Sequence, residues 1–93
     1  MKEYINKILK LGRTVATPHA CSTLTEKDMD CALLRHNLCD WGDICEEDWQ
    51  KNNTAFYKGL RIFSAYTSSD GDKFWIITEA DRSYTTVLMP SDY

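Results

Sequence analysis

From Gly59 onward the chain consists of three short runs rich in β-branched and aromatic residues, LRIFSAYT, DKFWIITE and YTTVLMP, separated by SSDG and ADRS. Runs of this kind bounded by Ser, Asp and Gly read as strands joined by hairpins. Asp70-Gly71 carries the signal of a two-residue type I′ turn. A turn there pairs Thr67 with Phe74, Ala65 with Ile76 and Phe63 with Thr78. A second turn at Asp81-Arg82 sets Thr78 opposite Thr85 and Ile76 opposite Val87. One face of the expected sheet then carries Phe63, Ala65, Phe74, Ile76, Val87 and Met89, and reads as a helix-covered core. The other carries Ile62, Ser64, Tyr66, Trp75, Ile77, Glu79, Tyr84, Thr86 and Leu88, an aromatic surface with polar residues mixed in.

Upstream, the punctuation is helical. Residues 1–11 fit either a helical turn or a leading strand, and GRTVATP, residues 12–18, reads as a short strand. Thr17 is an N-cap with Pro18 at the first helical position, where its missing N–H costs nothing. A short helix through His19–Leu24 follows. Thr25 caps a second helix from Glu26 to about Leu38, with Glu26 and Asp28 favourable beside its N-terminus. Asp43 and Glu46 resemble a capping box opening a third helix. Glu46, Glu47 and Asp48 sit at its positive end, Lys51 and Lys58 lie toward its negative end, and Gly59 stops it. Its apolar stripe runs Cys45, Trp49, Phe56 and Leu60, with Asn52 in the middle. A buried amide needs partners, so Asn52 is expected to tie this helix to a neighbouring loop or strand end.

The expected fold is one α+β domain over residues 1–93. It has two layers, with the mainly helical residues 1–58 packed on a three- to four-stranded antiparallel β-meander from 59–93. Thr14–Thr17 is the candidate fourth strand. The net charge of −3 and a pI near 5.2 argue against direct nucleic-acid binding. No apolar run forms a signal-peptide core or approaches the roughly 20 residues of a membrane span. The expected location is cytoplasmic, with the four cysteines as reduced thiols.

Four groups of residues are candidates for chemistry or contact. Tyr66, Trp75 and Tyr84 lie on the second sheet face, which two helices packed on the first face leave bare; such residues suit a protein partner or a homodimer. Residues 1–24 folding over that face is the plainer alternative. Asp40, Asp43, Glu46, Glu47 and Asp48 crowd nine residues and could meet a basic groove, although helix N-termini attract acids in any case. Cys21, Cys31, Cys39 and Cys45 with His19 and His36 offer zinc-ligand types but no Cys-x-x-Cys. Cys39 with His36, or Cys21 with His19, makes at most a thiol–imidazole pair with no third group to orient it. Glu79 and Asp81 support a rival reading as a small metal-dependent hydrolase or nucleic-acid-processing accessory. No catalytic residue, metal ligand or cofactor is assigned. Asn52, Thr17 and Thr25 are read as structural polar residues.

Several stretches carry a resemblance to a known group. They are Trp41-Gly42-Asp43, Cys45-Glu46-Glu47-Asp48, Asn52, Gly59 with Arg61, Ser64-Ala65-Tyr66, Gly71, the run from Trp75 to Ser83 (WIITEADRS), Thr85-Thr86 and Pro90. The chain resembles small bacterial proteins commonly labelled plasmid-related, some of them called restriction-enzyme subunits. The likeness covers roughly residues 11–93, and Val15-Ala16-Thr17-Pro18 and Arg35-His36 extend it upstream. His19 departs from it, where glycine is expected, as do the cysteines at 21, 31 and 39. The resemblance implies location on mobile elements. By association, it implies a protein that binds and blocks a host defence nuclease, as an anti-CRISPR or antirestriction factor does.

Overall fold

A computed structural model describes residues 1–93. The elements follow in the order β1 (Arg13–Ala16), α1 (Pro18–Thr23), α2 (Glu26–Asn37), α3 (Glu46–Lys58), β2 (Ile62–Thr67), β3 (Lys73–Thr78) and β4 (Tyr84–Leu88), with a closing 3₁₀ turn at Pro90–Asp92. The fold is α+β. The sheet order is β1-β4-β3-β2. β2, β3 and β4 form an antiparallel meander, but β1 pairs with β4 in parallel. The fourth strand therefore exists, and the sheet is mixed where a purely antiparallel one was expected. Parallel pairing requires a crossover, and the chain between β1 and β4 holds all three α-helices and the other two strands.

The helix caps follow the side-chain chemistry. Thr17 Oγ1 accepts from Ala20 N–H and Thr25 Oγ1 accepts from Asp28 N–H, both at 3.1 Å. The capping box on α3 does not form. The N-cap is Cys45, with no side-chain bond, because Asp43 is engaged elsewhere: its N–H donates to Ala65 C=O at 2.7 Å, and its carboxylate accepts from Thr67 Oγ1. The buried face of α3 is also rotated from the expected stripe. Trp49, Asn52, Asn53 and Ala55 are buried, whereas Cys45 and Leu60 are exposed.

The first hairpin corrects the expected faces. Its loop has three residues, Ser69 to Gly71. Gly71 N–H donates to Ser68 C=O, Ser68 N–H donates to Asp72 C=O, and Gly71 takes a φ of 89°. Gly71 thus fills the left-handed position that ends a three-residue loop, not the second place of a two-residue turn. The pairing becomes Thr67 with Lys73, Tyr66 with Phe74 and Ala65 with Trp75. A one-residue slip exchanges the faces of a strand. Ile62, Ser64 and Tyr66 therefore join Phe74, Ile76 and Val87 on the inner face, and Phe63 and Ala65 move to the outer one. The second hairpin keeps its expected register, with Thr78 opposite Thr85 and Ile76 opposite Val87.

α1 and α2 cover the inner face. Ala20, Leu24 and Ala32 pack with Tyr66, Phe74, Ile76, Val87 and Met89. α3 sits against the β2 edge, where Trp41, Ile44, Trp49, Ala55 and Ile62 form a second cluster with Leu9 and Cys39. Residues 1–12 form no helix or strand. They run as a strap in which Glu3 C=O accepts from Trp49 Nε1 and Asn53 Nδ2, and Leu9 exchanges hydrogen bonds with Asn37. No helix is long and apolar enough to cross a membrane.

The edge of β2 is closed. Asn52 Nδ2 donates to Phe63 C=O at 2.6 Å and its Oδ1 accepts from Phe63 N–H at 3.3 Å, as expected of an amide tying the helix to a strand. Trp41 C=O and Asp43 N–H pair with the two backbone groups of Ala65. Between them Gly42, at a φ of 77°, lies so close to β2 that a Cβ would sit 2.1 Å from Ala65 O. Gly42→Ala is expected to cost about 3 kcal/mol or more, since strain at φ and a backbone clash add. Gly71→Ala, at a similar φ but with open space around it, is expected to cost only about 1 kcal/mol. Urea denaturation of the two variants checks the contrast.

Candidate functional site

Two places in the fold concentrate side chains of possible function: a polar network beneath the sheet and the outer face of the sheet, where Ile77 and Leu88 are buried and the C-terminal turn packs through Tyr93 against Trp75. The network is built around His36. Its Nδ1 lies 2.6 Å from Ser64 Oγ and its Nε2 lies 2.8 Å from Thr78 Oγ1. Thr78 Oγ1 is 2.8 Å from Thr85 Oγ1, which donates to Leu11 C=O at 2.7 Å.

The direction of every proton follows from the last bond. A carbonyl only accepts, so the single Thr85 hydroxyl hydrogen goes to Leu11, and Thr78 must donate to Thr85. Thr78 oxygen then accepts from His36 Nε2–H, and the neutral imidazole accepts from Ser64 at Nδ1. Burial, reinforced by the nearby Arg82 cation, pushes the His36 pKa down to about 3, so the ring is neutral at ordinary pH. Ser64 beside His36 has the contact of a nucleophile and its base, but all four side chains are fully enclosed. A substrate has no route to Ser64, and the arrangement satisfies buried polar groups. Sequence reasoning paired His36 with Cys39 instead. The structure gives His36 to Ser64 and Thr78, and burial raises the Cys39 thiol to about 11, which keeps it protonated and unreactive. A usable signal was the spacing of Met29, Ala32 and His36, which puts the imidazole on the inward stripe of α2.

Arg82 links the β3–β4 turn to the end of α3. With a φ of 61° in the β3–β4 turn, it donates to Leu60 C=O at 2.6 Å, Ala55 C=O at 3.0 Å and Glu79 C=O at 3.2 Å. A cation at the carbonyl end of a helix is favourable. The Ser83 hydroxyl, followed by the Ser83 N–H that donates to Asp81 Oδ1 within the same turn, holds the Asp81 carboxyl below the usual range. Glu79 lies 3.7 Å from Arg61. No three His, Cys, Asp or Glu side chains converge as a metal-binding group; Glu79 and Asp81 each have separate structural partners.

The outer face is the second place. Phe63, Trp75, Ile77, Arg61 and Tyr93 line an open groove of about 290 Å³. The Trp75 ring meets Phe63 edge-on at 5.0 Å and Tyr93 at 5.8 Å. Arg61 donates to Tyr93 Oη at 3.0 Å and lies 5.6 Å from its ring centre. Of the three aromatic residues expected on this face, Trp75 is there and half-buried. Tyr84 is there too, 44% exposed, but at the far end of β4. The partner of Trp75 is Leu88, four residues along, which separates the two rings' strand positions by about 13 Å.

Tyr66 is on the opposite face. It is buried, and its hydroxyl donates to Asp40 C=O at 2.7 Å; burial raises its phenol well above the ordinary value. The register slip explains the error, and the same slip supplies Phe63. Tyr93 was missed because it follows the last strand. Residues 1–24 do not fold over this face: their buried contacts, through Leu9, Ala20 and Leu24, lie with the inner-face and α3 clusters.

The acidic residues divide. Asp40 is spent on Arg35, at 2.9 and 3.3 Å, and that pairing raises the guanidinium pKa. Asp43 accepts from Thr67, whose oxygen also accepts from Lys73 Nζ. Glu46 pairs with the Met1 ammonium, and Glu47 lies 3.6 Å from Lys51. Glu46, Glu47 and Asp48 are all solvent-exposed at the start of α3. Comparison with protein-family models, curated proteins and solved structures returns no match.

The neutral, buried His36 makes stability pH-dependent. Unfolded histidine titrates near 6.5, so between pH 6.5 and about 3 the unfolded chain binds the extra proton. Stability contributed by the neutral ring is complete above 6.5 and is lost on acidification, by about 1.4 kcal/mol per pH unit inside the window. The carboxyls with lowered pKa, Asp28, Asp81 and Asp92, act below their ordinary value of 3.8, so the range from pH 6 to 4.5 reports His36. Urea unfolding across that range is expected to show this slope in the wild type and to lose most of it in His36→Gln.

Proposed function

We propose that this chain is a non-enzymatic protein-binding accessory that docks its partner on the outer sheet face. The observation that carries the proposal is the half-buried Trp75, set between Phe63 and Tyr93 on a sheet face that no α-helix covers. Trp and Tyr in an open apolar groove are the residue types that dominate binding energy at interfaces. The conspicuous catalytic-looking contact, Ser64 with His36, is sealed beneath the sheet and supports no rival activity.

Charge selects the kind of partner. Thr67, which holds Asp43, lies on the outer face at the far end of β2, so Asp43 borders the groove's face. Glu46, Glu47 and Asp48 continue the exposed carboxylates along the start of α3. With a net charge of −3, this flank suits a partner with a basic surface. The resemblance to plasmid-related proteins favours reading the chain as part of a mobile element, and a basic surface that also attracts nucleic acid is the kind a nuclease or effector subunit of a host defence system presents. The proposed role is therefore antagonism of such a nuclease, of the restriction or CRISPR type, by occupying its nucleic-acid-binding surface.

The test is protection in a host carrying an active restriction or CRISPR system, scored as transformation by a targeted plasmid. Wild-type protein is expected to raise transformation. Trp75→Ala is expected to weaken binding to the purified nuclease about 30-fold, the loss of a 2 kcal/mol anchor. Reversal of Glu46, Glu47 and Asp48 to lysine is expected to weaken it further at low salt than at high salt. Both variants must first show the wild-type melting transition. Full protection by the folded combined variant would sink this docking surface, and no protection by wild type against either class of system would sink the antagonist role.

A further inference from the structure

The two edges of the sheet are treated differently. Asn52 and Trp41–Asp43 close the β2 edge, whereas the β1 edge has no cover. Arg13 N–H and Thr17 N–H point to β4, bonding Ser83 and Val87 carbonyls. Backbone groups alternate sides along a strand, so the N–H and C=O of Thr14 and Ala16 point outward. None of these four groups has a partner among the turn, loop and side-chain hydrogen bonds of the protein, and β1 pairs with no strand other than β4. Val15, between them, is 38% exposed. An open strand edge of this kind is a template for another strand.

We infer that two copies of this chain associate through their β1 edges, antiparallel about a two-fold axis at Val15. The outward groups are symmetric about that residue. With Val15 opposite Val15 of the second copy, Thr14 of each chain faces Ala16 of the other, and four backbone hydrogen bonds form. The two valines meet as a non-hydrogen-bonded pair, the arrangement in which side chains approach most closely.

Charge matches in the same register. Arg13, exposed and without an ion-pair partner in its own chain, falls opposite Thr17 of the second copy. Thr17 Oγ1 donates to Asp92 Oδ2 at 2.7 Å, and His19 Nδ1 lies 2.9 Å from Asp92 Oδ1, so each free guanidinium arrives, twice by symmetry, beside a carboxylate that no arginine or lysine of its own chain neutralises. A strand from an unrelated protein would find the backbone groups but not this paired set of charges. An isologous contact of this type also closes on itself, with no open end to propagate. The product is one eight-stranded sheet, in which the grooves around Trp75 lie on a common face.

Sedimentation from about 1 μM to 1 mM, the range of weak to moderate affinities, is expected to show a concentration-dependent dimer. Val15→Lys, which sets two like charges together on the axis, and Arg13→Glu are each expected to shift the midpoint tenfold or more toward monomer, with unchanged melting. Register is read by crosslinking. In a chain carrying Cys21→Ser, Cys31→Ser and Cys45→Ser, Val15→Cys is expected to give a covalent dimer with oxidised glutathione, its Cβ atoms being within disulfide reach. Thr14→Cys, on the opposite face and paired with Ala16, is expected to give none. A monomer mass across the whole range overturns the inference. A dimer that ignores Val15→Lys and is not trapped by Val15→Cys overturns it as well, because association would then use another surface.

Discussion

The carboxamide of Asn52 does for β2 what another strand would do. A sheet edge enclosed by a helix must still pair its backbone N–H and C=O, since an unpaired buried group costs about 1–3 kcal/mol. One side-chain amide, donor and acceptor in the same plane, satisfies both groups of Phe63. The backbone of Trp41 and Asp43 satisfies both groups of Ala65. Everything around that edge is arranged to permit this. Gly42 has no side chain to keep the loop away, Asp43 gives up its role as a helix cap, and α3 turns Asn52 and Asn53 inward. Arg82 then fastens the far end of α3 to the β3–β4 turn through the Ala55 and Leu60 carbonyls. Helix, loop and sheet are held by polar groups with directional requirements, which specify one packing more narrowly than apolar contact does.

The same economy separates the inside of the protein from its outer sheet face. Beneath the sheet, His36, Ser64, Thr78 and Thr85 form a relay of hydrogen bonds whose direction is set by a single carbonyl at Leu11. No side-chain polar atom in the buried interior lacks a partner. Above the sheet there is no such closure: Phe63, Trp75 and Tyr93 stand in an open groove. The residues that look most chemical are structural, and the residues that look merely apolar are the ones free to meet another molecule. That inversion is the contrast on which the proposed docking role rests.

Much of this was legible in the chain. Thr17-Pro18 and Thr25 announced two helix starts because their caps depend on bonds three residues away. The register of the second hairpin, Thr78 opposite Thr85, followed from placing its turn at Asp81-Arg82. Asn52 in the middle of an apolar stripe required a partner on a neighbouring element, and found one. The failures have physical causes as specific as the successes. Asp-Gly serves a two-residue turn and the end of a three-residue loop equally well, and the choice moved Tyr66 into the core and Phe63 out of it. Asp43-x-x-Glu46 has the spacing of a capping box, but the Asp43 backbone was already committed to β2.

By itself, then, the sequence determined the secondary structure and most of its limits, because caps, turns and periodicity are interactions over a few residues. It also determined that a polar amide would join α3 to a neighbouring element. Tertiary structure alone decided the parallel placement of β1, the sealing of His36 against Ser64, and the group of aromatic residues that shares the open face. Those outcomes depend on which distant backbone groups compete for the same partner. Competition across 28 residues, from His36 to Ser64, or across 74, from Leu11 to Thr85, is settled only when the whole chain packs.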